Sequence, residues 1–264
     1  MNLDLLCEKI GLPAEAAAPV MKYCESQAFL SVKHLAEDLT VLERSRDAYT
    51  RLAKVLGDDH AAMLACNLHA AVHVFDRYEK MEIPEKIYVD TMACFSRFLK
   101  ETYENTGKWQ FDRAFWTYRQ LRMTLFRIGE LEYEILPDEK AISIHIPSDS
   151  RFAPEIIDAS LLEAKAFFAR YFPQCAAYPY VCESWLLSQP LGKLLKPESN
   201  ILRFQQRFAI REEYPDDREF YQWVFGVPAD TPPQQLAENT SMQRSIKQLL
   251  LSGGKIGAAM GVIQ

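Results

Sequence analysis

Two ionisable residues in the second half of the sequence occupy predicted β-strand positions, and both could transfer protons. Glu183 lies in the middle of the run 180–187, where a carboxylate is costly to bury unless it is paired or functional. His145 ends an alternating run that leads into a long helix, and ligands of open α/β sheets bind beyond such strand ends. Both residue types act as general acids and bases. The pattern predicts proton-transfer chemistry, with Glu183 favoured over His145 as the base.

Each of these residues also has a purely structural interpretation. Glu183 could form an ion pair with Arg203 or Arg207 across the sheet. His145 could be a histidine that is simply hydrogen-bonded near the end of its strand. The sequence leaves both alternatives open.

A cysteine and two histidines in the first half share one face of a predicted helix. Cys66, His69 and His73 are spaced three and then four residues apart, which is a spacing that zinc sites use. However, Cys66 and His73 would lie ~10 Å apart along the helix axis at a rise of 1.5 Å per residue, too far for both to bind one ion. We expect packing or surface roles for these residues and no metal site.

The first half of the chain is predicted to be helical. Apolar residues recur at helical spacing from residue 14 to about residue 103. Glycine, proline and asparagine interrupt this pattern at 57–59, 83–84 and 105–107, where helices should end. The helical period then resumes at Phe111 and continues towards Gly129. A helical bundle follows from this pattern.

The second half alternates between strand and helix patterns. In chain order it predicts a hairpin of strands at 131–135 and 142–146, a helix at 154–171, a strand at 180–187, a short helix at 190–196, strands at 201–210 and 220–225 joined by a turn at 212–218, and a helix at 240–251. The run 201–210 is the clearest strand, because large apolar residues alternate with polar ones. This order predicts an α/β (α+β) fold class.

Several segments resemble a known family. They read LFRIGELEYEI at 125–135, ISIHIP at 142–147, DASLLEAKAFFARYFP at 158–173, ESWLL at 183–187 and SNILRFQQRF at 199–208. Together with TGKWQFDRAFW at 106–116, they resemble the bacterial GNAT-like acyltransferase family that carries a separate helical N-terminal domain. The resemblance covers nearly the whole chain. It implies a helical domain at 1–119 and a GNAT-like domain with a mixed sheet at 120–264.

The resemblance also implies an activity and a cofactor. A member of this family would transfer an acyl group from acyl-CoA or acetyl-CoA directly to a small amine acceptor, with no covalent intermediate and no metal. Its central strands would splay to admit the pantetheine arm. Ile146, Ser148 and Arg151, between the hairpin and the long helix, would bind the cofactor. Lys193 and Lys196 are the alternative phosphate ligands.

The segment before the long helix departs from the family's pattern. GNAT enzymes bind the CoA pyrophosphate through backbone amides of a glycine-rich turn at a helix N-terminus. Here residues 147–154 contain no glycine, and Arg151 is their only cation. A non-catalytic GNAT-like module that binds a ligand or a protein would show such a loop, so this module is the alternative to an enzyme.

Composition excludes several classes of partner. The chain of 264 residues carries a net charge of -6 and so has no overall positive field to attract nucleic acid or anionic membranes. No apolar run approaches the ~20 residues of a membrane span, and the first residues lack the basic start of a secretory signal. The six cysteines show no paired spacing, which favours reduced thiols. The sequence predicts a cytoplasmic protein with no nucleic-acid or membrane partner.

Overall fold

All 264 residues are described by a computed structural model, in which the chain divides into two units. The first unit is Met1–Ile128 and the second is Gly129–Gln264. The boundary between residues 119 and 120 that the sequence suggests stays a prediction, because the division reflects spatial compactness rather than independent folding. No helix in the chain combines the length and apolar character needed to cross a bilayer.

The first unit consists of helices around one central helix. Its elements are α1 (Leu3–Lys9), α2 (Ala14–Cys24), α3 (Gln27–Asp38), α4 (Ser45–Leu56), α5 (His60–Lys80), α6 (Glu85–Met92), α7 (Cys94–Thr106), α8 (Ala114–Leu121) and the strand β1 (Leu125–Ile128). Helix α5 contacts α1, α2, α3, α4, α6 and α8. The predicted interruptions are confirmed: Gly57 follows α4, Pro84 precedes α6 and Gly107 follows α7.

The helical period predicted between Phe111 and Gly129 is wrong beyond Leu121. Helix α8 ends at Leu121, and Met123 adopts a φ of 61°, which a right-handed helix does not permit. The chain then continues as strand β1. The spacing of apolar residues alone could not reveal this break.

The second unit is a mixed sheet with helices. Its elements are β2 (Leu131–Leu136), β3 (Ala141–His145), α9 (Pro154–Tyr171), β4 (Tyr180–Ser184), α10 (Gln189–Leu194), α11 (Asn200–Gln205), β5 (Phe208–Tyr214), α12 (Ser241–Leu251) and β6 (Ala258–Ile263). These strands lie in the order β2-β3-β4-β6-β5. The pair β3–β4 is parallel and the other pairs are antiparallel. The predicted fold class, the hairpin and the long helix are confirmed.

Helix α9 packs on one face of the sheet through aromatic side chains. Phe168 contacts the rings of Tyr133 in β2 and Tyr180 in β4. The Oγ of Ser160 lies 2.9 Å from the hydroxyl oxygen of Tyr133 and accepts the backbone N–H of Leu131. The hydrogen bonds satisfy the polar groups that this packing buries, so α9 is attached to β2 by both apolar and polar contacts.

The strand predicted at 201–210 is wrong over most of its length. Residues Asn200–Gln205 form helix α11, and β5 begins only at Phe208. The helical turn places Ile201 and Phe204, three residues apart, on one side. Phe204 contacts the rings of Phe152 and Phe208, and Gln205 donates to the backbone oxygens of residues 186 and 188. These tertiary contacts outweigh the alternating pattern.

Two other predicted strands also differ. Strand β4 ends at Ser184, and Trp185–Leu187 form a 3-10 turn. The run 220–225 is a π-helical turn rather than a strand. Because Phe220 and Tyr221 are adjacent and both buried, a strand would have pointed them to opposite faces. The predicted turn at 212–218 starts later, since β5 extends to Tyr214.

The sequence pattern did not reveal the last strand. Strand β6 is made of small and apolar residues and pairs with both β4 and β5. Gly257, immediately before it, has a φ of +69°, and a Cβ atom there would lie 2.5 Å from the backbone oxygen of Tyr214 and 2.7 Å from the Cα of Pro215. The entry into β6 therefore requires glycine.

Gly257→Ala should lower the free energy of unfolding by about 2–4 kcal/mol, because it adds left-handed backbone strain and a clash with the β5 backbone. Gly253→Ala is the matched control. Gly253 has a φ of +83° but open space where a Cβ atom would lie. Its substitution should therefore lower the free energy of unfolding by only about 1 kcal/mol. Urea unfolding of both variants measures the difference, and equal costs would contradict the close approach of β5.

Candidate active site

The sheet opens between β3 and β4. Their parallel ladder contains two pairs, Ile142 with Tyr180 and Ser143 with Val181. Strand β3 continues to His145, while the rest of β4 pairs with β6. The two strands therefore separate at their carboxyl ends, which is where open α/β sheets bind ligands.

His145 and Glu183 lie on the same face of the sheet, on opposite sides of this opening. Side chains two residues apart on a strand share a face, so His145 shares a face with Ser143, and Glu183 with Val181. Ser143 and Val181 are paired across the ladder, which joins the two faces into one. This face is opposite the one that α9 covers, and we call it the polar face. The structure thus brings together the two predicted catalytic residues.

A buried carboxylate orients His145. The Nε2 atom of His145 lies 3.0 Å from Oε2 of Glu134 in β2, and the side chain of Glu134 is almost fully buried. The register explains the contact, because Glu134 pairs with Ser143 and Glu132 pairs with His145. An imidazole held by a carboxylate has a set ring orientation and can accept a proton, as histidine bases in enzymes do. The hydrogen bond expected in the structural alternative is therefore present, and it is compatible with a catalytic role.

Glu183 has an unfavourable environment for its charge. Partial desolvation, followed by the negative charges of Asp217, Glu219, Glu212 and Glu139, raises the pKa of its carboxyl above the ordinary value of 4.5. In particular, Glu212 and Glu183 both pair with residue 260 on either side of β6. A negative surface of this kind attracts cations.

Two expectations for Glu183 are wrong. Its place on a strand is confirmed, but Glu183 is the fourth of the five residues of β4 rather than mid-strand, and its side chain is exposed. The ion pair with Arg203 or Arg207 is not formed: Arg207 binds Oδ1 of Asp158 at 2.7 Å, and Arg203 lies on α11 rather than on a strand. The negative potential at Glu183 is therefore not neutralised by those two arginines.

The cysteine of β4 is poorly placed to act as a nucleophile. Cys182 is fully buried on the opposite face from Glu183, and burial followed by the nearby Glu183 and Glu219 charges raises the pKa of its thiol to about 12. A thiol must ionise to attack a carbonyl carbon. The protonated state of Cys182 therefore disfavours a covalent acyl-enzyme at this position.

Apolar side chains lie beyond the open ends of β3 and β4. They form one cluster, which we call the apolar cluster, whose buried members are Leu186, Leu191, Phe220, Tyr221, Leu236, Ile246 and Ile256. Ile146, which follows β3, and Trp185, which follows β4, are partly buried against it. The opening is thus bordered by an apolar region contributed largely by the segment between β5 and β6.

The predicted cofactor residues lie in the loop between β3 and α9. Ile146 packs against the apolar cluster, Ser148 is exposed, and Arg151 has a side chain that is 72% exposed. The guanidinium of Arg151 is hydrogen-bonded to the carboxylate of Glu130. Lys193 and Lys196 are also exposed. The roles of these residues in binding a cofactor stay predictions.

Sequence reasoning missed Glu130 and Glu134. The hairpin register could have indicated Glu134. It pairs Glu134 with Ser143, which makes Glu134 a diagonal neighbour of His145 on the same face of the sheet. Glu130 reaches a residue 21 positions away, and no local pattern indicates that contact.

The cysteine and histidines singled out in the first unit differ in their exposure to solvent. Cys66 is fully buried, His73 is exposed, and His69 packs its ring against Phe29 with Nε2 3.6 Å from the carboxylate of Glu37. Burial raises the pKa of the Cys66 thiol to about 12. These positions fit the packing and surface roles that helix geometry suggested.

Comparison with known families assigns both parts of the chain. Residues 1–123 match the N-acyltransferase N-terminal domain, and residues 105–263 match the GNAT-like C-terminal domain. The chain belongs to this family of two-domain acyltransferases. Its sheet opening lies within the part matched by the GNAT-like domain. None of the curated proteins matches the sequence.

Solved structures share the fold at low sequence identity. One is an acyltransferase mutant in complex with octanoyl-CoA, which is 18% identical with a TM-score of 0.82 over 98% of this chain and 86% of that chain. Another is an acyltransferase in complex with decanoyl-CoA and teicoplanin, which is 19% identical with a TM-score of 0.73 over 100% of this chain and 99% of that chain. This similarity establishes the fold of the two-domain acyltransferase.

The raised pKa of Glu183 gives a testable pH dependence. Its charged form is destabilised in the folded protein, so the penalty is present at neutral pH and disappears as the pH falls through the raised pKa. Glu183→Gln should therefore raise the Tm modestly at pH 7, and the gain should vanish near pH 4.

Asp158→Asn is the control of opposite sign. Arg207 lowers the pKa of Asp158, so its charge stabilises the fold above the ordinary value of 3.8 and the benefit is lost below it. This variant should lower the Tm at pH 7. Scanning calorimetry from pH 3 to pH 8 checks both, and a drop in Tm for Glu183→Gln at pH 7 would contradict the repulsion.

Proposed function

We propose that this acyltransferase transfers an acyl group from acyl-CoA directly to the amino group of a small acceptor. The observation that carries the proposal is the opening between β3 and β4 with His145 and Glu183 on its two sides. Two low-identity structures with the same fold contain octanoyl-CoA and decanoyl-CoA, which supports acyl-CoA as the donor. The six unpaired cysteines fit a reducing cytoplasm.

From the free amine, the reaction needs two proton movements. The acceptor nitrogen attacks the thioester carbonyl carbon, a C–N bond forms, the C–S bond breaks, and the CoA thiolate takes up a proton. The attacking amine loses its proton to a base. His145, oriented by Glu134, takes this proton directly or through one water. No enzyme-bound acyl intermediate is needed, in keeping with the protonated Cys182.

The acceptor arrives as an ammonium ion at neutral pH. Glu183 and the neighbouring acids Glu212, Asp217 and Glu219 raise the local negative potential, which concentrates cations near the opening. Glu183 then binds the ammonium group, accepts its first proton and passes that proton to solvent, which leaves the free amine for the attack. A cationic amine of small size is the acceptor class that this charge pattern favours.

The donor's two ends fit different parts of the opening. The loop before α9, with Ile146, Ser148 and Arg151, lies at the N-terminus of a long helix, where phosphates bind favourably. The apolar cluster lies beside Ile146 and Trp185 at the ends of the strands. We assign the phosphates to the loop and the acyl chain to the apolar cluster.

His145→Ala should lower kcat by roughly 10² or more, the usual effect of losing a general base. The KM for acyl-CoA should change little, because His145 acts on the amine. Glu134→Gln should cause a smaller loss, since it weakens the orientation of the imidazole without removing it. Thiol release from octanoyl-CoA with a panel of primary amines measures these rates. Full activity of His145→Ala would exclude it as the base.

Glu183→Gln should lower kcat/KM for a cationic amine by roughly tenfold or more. The KM for acyl-CoA should change little. Glu139→Gln is the matched control: Glu139, in the turn after β2, contributes least of the four acids that raise the pKa of Glu183, so its removal should have a small effect. If the native protein binds acyl-CoA and no amine is acylated, the non-catalytic binding module becomes the better assignment.

The kcat/KM for the donor should rise with the length of its acyl chain. Each methylene buried against the apolar cluster contributes ~0.8 kcal/mol, about fourfold in kcat/KM, until the cluster is filled. Trp185→Ala should extend the preference to longer chains, whereas Leu162→Ala, on the outside of α9 and 71% exposed, should not. Initial rates with acyl-CoAs of two to twelve carbons test this, and a flat profile would place the acyl chain elsewhere.

A further inference from the structure

Glu130 holds the loop between β3 and α9 by several hydrogen bonds. Its Oε1 atom accepts Nε of Arg151 at 2.9 Å and Nη2 of Arg151 at 2.6 Å, and its Oε2 atom accepts the backbone N–H of Arg151 at 3.0 Å. The hydroxyl of Ser150 donates to the backbone oxygen of Glu130 at 2.7 Å. One residue therefore fixes both the backbone and the side chain of Arg151.

The position of Glu130 is itself constrained by α9. The preceding residue, Gly129, has a φ of +63°, and a Cβ atom there would lie 3.0 Å from the Cβ of Ser160 in α9. Ser160 also bonds β2 through Tyr133. The turn that carries Glu130 is thus packed against the same helix whose N-terminus follows the loop.

The exposure of the two partners differs in a way that suggests a role. The side chain of Glu130 is only 11% exposed, while that of Arg151 is 72% exposed. All of the hydrogen bonds of the guanidinium use Nε and Nη2, and Nη1 makes none within the protein. The buried carboxylate therefore orients the guanidinium and leaves one of its edges for a ligand.

A carboxylate near a phosphate site would by itself repel the ligand. Here its charge is paired with Arg151, and its hydrogen bonds replace the conformational control that glycine residues exert in other phosphate-binding turns. Immobilising an arginine before binding removes part of the entropy cost that binding would otherwise incur. Repulsion by the carboxylate would weaken phosphate binding, whereas immobilisation of Arg151 would strengthen it. Measuring the affinity of a Glu130 variant therefore distinguishes the two effects.

We propose that Glu130 is a positioning residue for the donor's phosphates, which holds Arg151 so that its Nη1 edge contacts a phosphate of CoA. This role rests on the proposed use of acyl-CoA. It accounts for a phosphate loop that contains no glycine, because Glu130 supplies the order that the backbone lacks. The reaction partners at the thioester are not touched by Glu130.

Calorimetric titration with CoA and with pantetheine, which carries no phosphate, tests the role. Glu130→Gln keeps the shape of the side chain and removes its charge. It should weaken CoA binding by roughly 3- to 10-fold, the range expected for one immobilised side chain, and leave pantetheine binding unchanged. Because Glu130 acts through Arg151, the double variant with Arg151→Ala should bind CoA no more weakly than Arg151→Ala alone.

Unchanged or tighter CoA binding by Glu130→Gln would overturn the role, since it would mean that the carboxylate only repels phosphate. Additive losses in the double variant would also overturn it. If Glu130→Gln does not fold, Arg151→Lys decides: it keeps the charge without the planar fork. Binding close to that of Arg151→Ala supports positioning, and native affinity contradicts it.

CoA binding by the native protein shows whether the positioning role or the acyl-CoA assignment has failed. If it binds neither CoA nor octanoyl-CoA, the donor assignment fails and the positioning role fails with it. If it binds CoA and the Glu130 variants behave like the native protein, only the positioning role fails.

Discussion

The short parallel ladder between β3 and β4 is the feature on which the rest of the second unit depends. Two residue pairs join these strands, while antiparallel neighbours bind them on their outer sides, β2 on β3 and β6 on β4. Each strand is therefore held along its length by a different partner. This allows the strands to part at their carboxyl ends without leaving the sheet.

The alternation of side chains along each strand places different residue types on the two faces of the sheet. On one face, Tyr133 and Tyr180 pack against Phe168 of α9, and Cys182 stays protonated because it is buried. The other face carries His145 and Glu183. The same strands thus present an inert packed surface on one side and titratable groups on the other, as a strand period of two requires. In the proposed reaction, proton transfer takes place on the polar face.

The loop before α9 is ordered by hydrogen bonds to a carboxylate residue and contains no glycine. A glycine-rich turn binds phosphate with backbone N–H groups because it can adopt conformations that other residues disfavour. Residues 147–153 lack that freedom and are ordered instead by hydrogen bonds to Glu130. The consequence is a loop whose principal cation, Arg151, has a defined orientation. Such a loop remains compatible with the family's fold although its sequence departs from the usual pattern.

The sequence by itself determined the helical first unit, the hairpin of β2 and β3, helix α9 and the placement of His145 and Glu183 on strands. These features depend on local periodicity and on helix ends, which neighbouring residues encode. The amino-acid sequences of several segments also indicated the family, which the domain comparison confirmed.

Only the tertiary structure decided the features that depend on distant partners. Residues 201–205 form a helix because Phe204 meets Phe152 and Gln205 meets the backbone after β4, and Arg207 binds Asp158 rather than Glu183. Strand β6 pairs with both β4 and β5, so its formation depends on partners distant in the sequence. These contacts join residues 19 to 52 positions apart and leave no periodic trace in the sequence, so packing rather than local preference determined these features.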